Sequence, residues 1–110
     1  MKPSERMKRL KKPKKIKIGP YTFEVFFRKP KSKDIGFVSF KKQEISVTPG
    51  KLDAMQEVLM HEALHAILWV SGVSAAWDED EEERLVGALS PYLTTLIKEN
   101  PEFTNFITKD

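Results

Sequence analysis

The sequence predicts an α+β fold: a small, mostly antiparallel sheet of three or four strands, packed on a buried helix and a second, C-terminal helix. Two observations predict it. In the N-terminal half, apolar and polar residues alternate in short runs bounded by Gly and Pro, which is typical of half-buried strands. In the C-terminal half, apolar residues recur at intervals of three and four, the period of an amphipathic helix. The chain of 110 residues has the length of one domain.

The net charge of +3 is unevenly distributed. Residues 1–17 contain nine Lys or Arg and one acid, giving +8, whereas the remainder contains ten Lys or Arg and fifteen acids, giving −5. We interpret residues 1–14 as a basic, disordered tail and residues 15–110 as the folded domain. Because the tail has no aromatic side chain that could stack on a base, we expect from it only weak, nonspecific contact with nucleic acid.

The composition excludes several classes of protein. Without cysteine, neither a disulfide framework nor a thiolate zinc site can form. No apolar run reaches the roughly 18 residues of a membrane span, so no membrane partner is expected. The basic N-terminus lacks the apolar core of a signal peptide, and we therefore expect a cytoplasmic protein.

Four segments are strand candidates. Ile16 and Ile18 alternate with lysines before a Gly-Pro turn, and residues 21–27 are rich in aromatic and β-branched side chains. Residues 35–40 and 44–47, separated by three polar residues, predict a hairpin. We expect residues 44–47 to form an edge on which an extended peptide could lie.

The first helix is predicted from about Leu52 to Val70. It is apolar nearly all round, which is typical of a helix buried in the centre of a domain. Either Thr48 or Asp53 could supply its N-cap, and Ser71-Gly72 ends it.

Both histidines lie in this helix, in the motif His61-Glu62-Ala63-Leu64-His65. Two imidazoles four residues apart project from one face of a helix and can reach one metal ion at about 2.0–2.1 Å. The intervening Glu62 can act as a general base at the open side of the metal. With only His and carboxylate as donors, the pattern favours a catalytic zinc ion over a structural one.

A third protein ligand is expected from the second helix. This helix follows the acidic run of residues 78–83 and ends at Asn100-Pro101. At 100° per residue, Glu82 shares the direction of the apolar stripe, so we predict Glu82 as the third ligand. Glu83, about 100° round the axis, is the alternative, and Glu79 is also near the inner face. The plainer interpretation of the run is that acids favour a helix N-terminus. The closing segment, residues 103–107, is expected to dock as a short helical turn.

The order of these motifs resembles small phage and prophage metallopeptidase-like proteins, which are distant relatives of the ImmA/IrrE-type and gluzincin-like zinc peptidases. The similarity covers roughly residues 15–103, and the motif with its flanks, residues 58–67, is the most specific part. The resemblance implies a zincin-like fold, two His ligands, a glutamate base and a glutamate ligand from the second helix. The chain departs from the ImmA/IrrE pattern after that glutamate, where Ala-Asn is replaced by Leu85-Val86 or Val86-Gly87.

The predicted function is a zinc-dependent metallopeptidase in which Glu62 activates a metal-bound water. We expect a restricted protein or peptide substrate, because so small a domain has few residues with which to line a substrate cleft. Two alternatives remain. One is a catalytically idle zinc-binding interaction or regulatory module whose basic tail contacts nucleic acid. The other is a chance motif in a buried helix. The residue that would stabilise the oxyanion stays open among Tyr92, Tyr21 and Arg84.

Overall fold

The computed structural model describes residues 11–110, so most of the predicted tail lies outside the described residues. The class is α+β, as predicted. The four strands are β1 (Lys15–Ile18), β2 (Tyr21–Phe26), β3 (Gly36–Ser39) and β4 (Glu44–Val47). The helices are α1 (Leu52–Val70), α2 (Glu79–Glu99) and α3 (Pro101–Thr108), with a 3-10 turn at Val73–Ala76 between α1 and α2.

The strands form one sheet in the order β1-β2-β4-β3. The pairs β1/β2 and β3/β4 are antiparallel, and the second is the predicted hairpin. The central pair β2/β4 is parallel, so the sheet is mixed. The loop after β2 carries the chain outward to β3, and β4 then returns between them. The prediction that residues 44–47 form an edge was therefore wrong: β4 is internal, and the edges are β1 and β3. Consecutive buried residues at Ile45, Ser46 and Val47 are typical of an internal strand.

The core lies between one face of the sheet and α1. Phe23, Ile45 and Val47 are fully buried in the sheet, and Ala66 of α1 is buried against them. At the C-terminal end of α1, Trp69 completes an aromatic cluster. Its ring stacks on Phe40 at 5.1 Å between centroids and meets Tyr21 edge-on at 5.2 Å. These contacts orient α1 on the sheet.

The first helix has the predicted bounds, but it is less deeply buried than predicted: only Met55, Glu62 and Ala66 are buried. Neither Thr48 nor Asp53 caps it, because Lys51 occupies the N-cap without a side-chain hydrogen bond. Its end is marked by Gly72, whose φ of 86° is readily adopted by glycine.

The second helix begins at Glu79, earlier than predicted, and includes most of the acidic run that was expected to precede it. Asp78 is its N-cap and accepts a hydrogen bond from the backbone N–H of Asp80. The closing segment forms α3, a helix of two turns that is longer than the predicted single turn. Among residues 11–110, none of the helices combines the length and apolar character required to cross a membrane.

Candidate metal centre

Helices α1 and α2 pack against each other and place the two histidines beside the first turn of α2. Both rings direct Nε2 at one carboxylate. His61 Nε2 lies 2.8 Å from Oε1 of Glu83, and His65 Nε2 lies 2.9 Å from Oε2 of the same residue. One donor atom from each of these three side chains lies within 4.8 Å of the others. The structure thus brings the predicted pair of histidines together with the alternative third ligand.

The three donor groups fit a divalent cation. Ligand atoms about 2.0–2.1 Å from a tetrahedral zinc ion lie roughly 3.3 Å apart, so the His–Glu contacts need to open by only a few tenths of an ångström. Two imidazoles and one carboxylate form the donor set of hydrolytic zinc sites that keep a fourth position for water. The Glu83 side chain is 62 % exposed, which leaves solvent access on that side.

Glu82, the ligand predicted first, lies on the other nitrogen of His65. Its Oε2 is 2.7 Å from His65 Nδ1, and its Oε1 accepts a hydrogen bond from the Ser74 hydroxyl. Burial acts to raise the pKa of Glu82, but the hydrogen bonds from Ser74 and His65 outweigh it and leave the pKa below its ordinary value. An ionised carboxylate at Nδ1 places the proton there and frees the Nε2 lone pair for a metal.

The location of the two Nε2 atoms explains why Glu83 rather than Glu82 faces them. Glu82 does point inward as predicted, with a side chain only 13 % exposed. However, the two Nε2 atoms converge on Glu83, whose side chain is 62 % exposed, at the rim of the α1–α2 interface. The residue at the flank of the apolar stripe is therefore the one in position. Glu79, one turn earlier, lines the adjoining cleft outside the His61–His65–Glu83 group.

Glu62, the predicted general base, is 8 % exposed and lines the same cleft as the histidines. Burial raises its pKa to about 7; the negative charges of Glu83 and Asp34 act in the same direction, and His65 opposes them. The ordinary value is 4.5. The carboxyl group is therefore poised to exchange a proton near neutral pH, which is what a general base requires.

The space for Glu62 is provided by the edge strand. A Cβ on Gly36 would lie 3.0 Å from Glu62 Oε2 and 2.5 Å from Cγ1 of Val58. Any side chain at position 36 would thus displace the carboxylate or the stiff, β-branched Val58. Gly36 lets β3 approach α1 closely enough to bury Glu62.

A cleft of about 810 Å³ opens between β3, α1 and α2, with the His61–His65–Glu83 group on one wall. β3 contributes its residues Gly36, Phe37 and Val38, and α2 contributes Pro91. Within residues 11–110, every charged side chain on the cleft, the histidines apart, is an acid: Asp34, Glu57, Glu62, Glu79, Glu82 and Glu83.

Sequence reasoning missed two residues of the site. Ser74 follows the loop after α1, and nothing in its sequence context indicates a contact with α2. Gly36 had a weak signal, since a glycine inside a strand pattern often marks the close approach of another group. The three oxyanion candidates do not line the cleft as the structure describes it over residues 11–110: Tyr21 packs on Trp69, Tyr92 is 75 % exposed, and Arg84 is likewise outside it.

No family model matches the chain, and no curated protein or solved structure matches it either. The resemblance to zinc peptidases therefore remains a prediction from the motif and its flanks.

Proposed function

We propose that this protein is a zinc-dependent peptidase with His61, His65 and Glu83 as metal ligands. The observation that carries the proposal is the convergence of both Nε2 atoms on one carboxylate, with Glu62 buried in the same cleft. A fortuitous His-Glu ion pair would account for one of these contacts. It would not account for Glu82 on the far side of His65, which orients that ring as an outer carboxylate does in zinc sites.

The residues divide the chemistry between them. A zinc ion held here would lower the pKa of a bound water towards about 7 and polarise the carbonyl of the substrate. Glu62, buried in the same cleft, would accept the proton of that water and deliver it to the leaving amine. Glu82, held by Ser74, keeps His65 in the required orientation.

The substrate segment is expected to lie along β3. This strand pairs with β4 on one side, and on its other side no strand of residues 11–110 pairs with it where it lines the cleft. An extended peptide can add to such an edge through backbone hydrogen bonds, which would bring a peptide bond beside Glu62. Residues 36–39 thus replace residues 44–47 as the expected docking strand.

The test combines metal content with cleavage. We expect the purified chain to hold one zinc ion and to cleave members of an unbiased peptide library detected by mass spectrometry. Glu62→Gln should retain zinc and lose cleavage by 100-fold or more, the scale expected for removal of a general base. Asp53→Asn, an exposed change on the same helix outside the cleft, is the matched control and should cleave normally.

The outcomes separate the alternatives. Stoichiometric zinc without cleavage of any peptide would favour a binding or regulatory module. Absence of bound zinc after exposure to excess metal would indicate that the His-Glu cluster is only an ion-pair network. Equal cleavage by the parent chain and Glu62→Gln would contradict the assigned base.

A further inference from the structure

The outer face of the sheet, opposite α1, carries two aromatic rings in one row. In the strand register Phe26 pairs with Ser46, and Ser46 pairs with Phe37. Residues paired across neighbouring strands point to the same face, so the two rings flank a small serine at a separation of about 10 Å, twice the strand spacing. Phe37 is 47 % exposed. An exposed ring on an open sheet face is a surface on which a planar group can stack.

Cations surround this row. A groove of about 690 Å³ crosses the same face, and its charged lining is four basic residues and one acid: Arg28, Lys29, Lys31, Lys42 and Glu44. The acid is already paired, since Glu44 Oε1 lies 3.5 Å from the Arg28 guanidinium. The groove therefore has a net charge of +3, and the hydroxyls of Ser32 and Ser39 also line it.

One groove cation lies directly against the row of rings. The Arg28 guanidinium is 4.1 Å from the ring centroid of Phe26. The positive charge and the aromatic surface therefore meet at this point of the outer face.

We propose that the outer sheet face binds single-stranded nucleic acid, with Phe37 stacking on a base and the groove cations contacting phosphates. The charge distribution favours the outer sheet face as the binding surface, because the cleft on the opposite side is lined by acids and repels a polyanion. The exposed ring of Phe37 favours single-stranded over double-stranded nucleic acid, since bases paired inside a duplex are not available to stack on a protein side chain. The groove and its cations lie on the other face of the sheet from the proposed zinc site, and Phe37, on the edge strand β3, borders both surfaces. The proposal does not depend on bound zinc.

The test measures binding of a fluorescein-labelled 15-nucleotide oligo-dT to the full chain by fluorescence anisotropy over a range of salt concentrations. The groove variant removes three charges: Lys29→Gln, Lys31→Gln and Lys42→Gln. A matched control variant removes three lysines outside the groove: Lys51→Gln, Lys98→Gln and Lys109→Gln. Each phosphate contact to a single strand contributes about 0.7 to the slope of log K against log salt. The groove variant should lower the slope by about 2 and weaken binding on the order of 100-fold near 0.1 M salt, and the control should stay within a few-fold of the parent.

Variants at Phe37 separate the contribution of base stacking to binding from the contribution of charge. Phe37→Ala should weaken binding by about 5- to 150-fold, as expected for loss of one stacked base, without changing the salt slope. Phe37→Trp should retain binding. Circular dichroism melts of each variant establish that the sheet is intact, so that a loss of affinity reports the surface.

Equal losses in the groove and control variants would overturn the proposal, because binding would then follow net charge alone. A duplex of the same length bound as tightly as oligo-dT, with no effect of Phe37→Ala, would overturn the assignment to single strands. Displacement of oligo-dT by poly-glutamate at equal charge concentration would instead identify a surface for acidic proteins.

Discussion

Glu62 should make the metal-free protein less stable as the pH rises. Its pKa is 4.5 in the unfolded chain and about 7 in the folded one. The folded state therefore prefers the protonated form, and the stability that this preference provides is complete below pH 4.5 and is lost as the pH rises through 7. A difference of about 2.5 units at 1.36 kcal/mol each gives roughly 3 kcal/mol lost from this one group between pH 4.5 and 8.

The assay is urea unfolding of chelator-treated protein at several pH values, for the parent chain and for Glu62→Gln. Because Gln does not titrate, the free energy of unfolding of the variant relative to the parent should increase by about 2–3 kcal/mol from pH 4.5 to 8. The same substitution at the exposed Glu57 supplies the matched control. Saturating zinc should reduce the effect, since a nearby cation favours the ionised carboxylate. A variant-to-parent difference that is constant or falls with pH would refute the reasoning.

Three further outcomes follow from the contacts. Glu82→Gln should weaken zinc affinity by about 10- to 100-fold, measured by competition with a chromophoric chelator. Glu83→Gln removes a proposed ligand and should weaken zinc affinity by more than about 100-fold in the same assay. Gly36→Ala should lower the free energy of unfolding by about 1–3 kcal/mol in urea titrations, and adding Val58→Ala should recover part of that loss by removing the clashing methyl group. Trp69→Ala should cost about 3–5 kcal/mol in the same titrations, because it removes the ring that packs on Tyr21 and Phe40.

Each of these has a control and a contradicting result. Glu81→Gln changes an exposed neighbour in the first turn of α2 and should leave zinc affinity unchanged. A larger loss for Glu82→Gln than for Glu83→Gln would restore Glu82 as the ligand. If Val58→Ala adds its own cost to Gly36→Ala without recovery, the proposed clash is absent. Trp77→Ala, at a half-exposed tryptophan outside the aromatic cluster, should cost far less than Trp69→Ala.

Local patterns in the sequence predicted the helices and the convergence of the histidines. The bounds of α1 followed from its periodicity, and His61 and His65 share a face because four residues nearly complete one turn. The acidic run forms the first turn of α2, where the helix dipole favours negative charge, although the predicted helix followed the run.

The features that the sequence did not predict depend on contacts between segments that are distant in the chain. The parallel pairing of β2 with β4 depends on the path of the loop after β2, and strand patterns carry no information on that path. The choice between Glu82 and Glu83 depends on where the α1–α2 interface meets solvent, which helical phase alone does not give. The burial of Glu62 depends on a glycine in β3, 26 positions away along the chain.

The proposed ligands all come from two consecutive helices, and the first and the last are only 22 positions apart in the sequence. Closing so short a loop costs little chain entropy. A bound ion could therefore stabilise the α1–α2 hairpin before the strands, which are more distant in sequence, pair with one another. The cation would then hold α1 and α2 together early in folding. Refolding in the presence of zinc should therefore be faster than refolding with a chelator. The sheet, with its crossover and its longer-range pairings, would be the part of the molecule that assembles last.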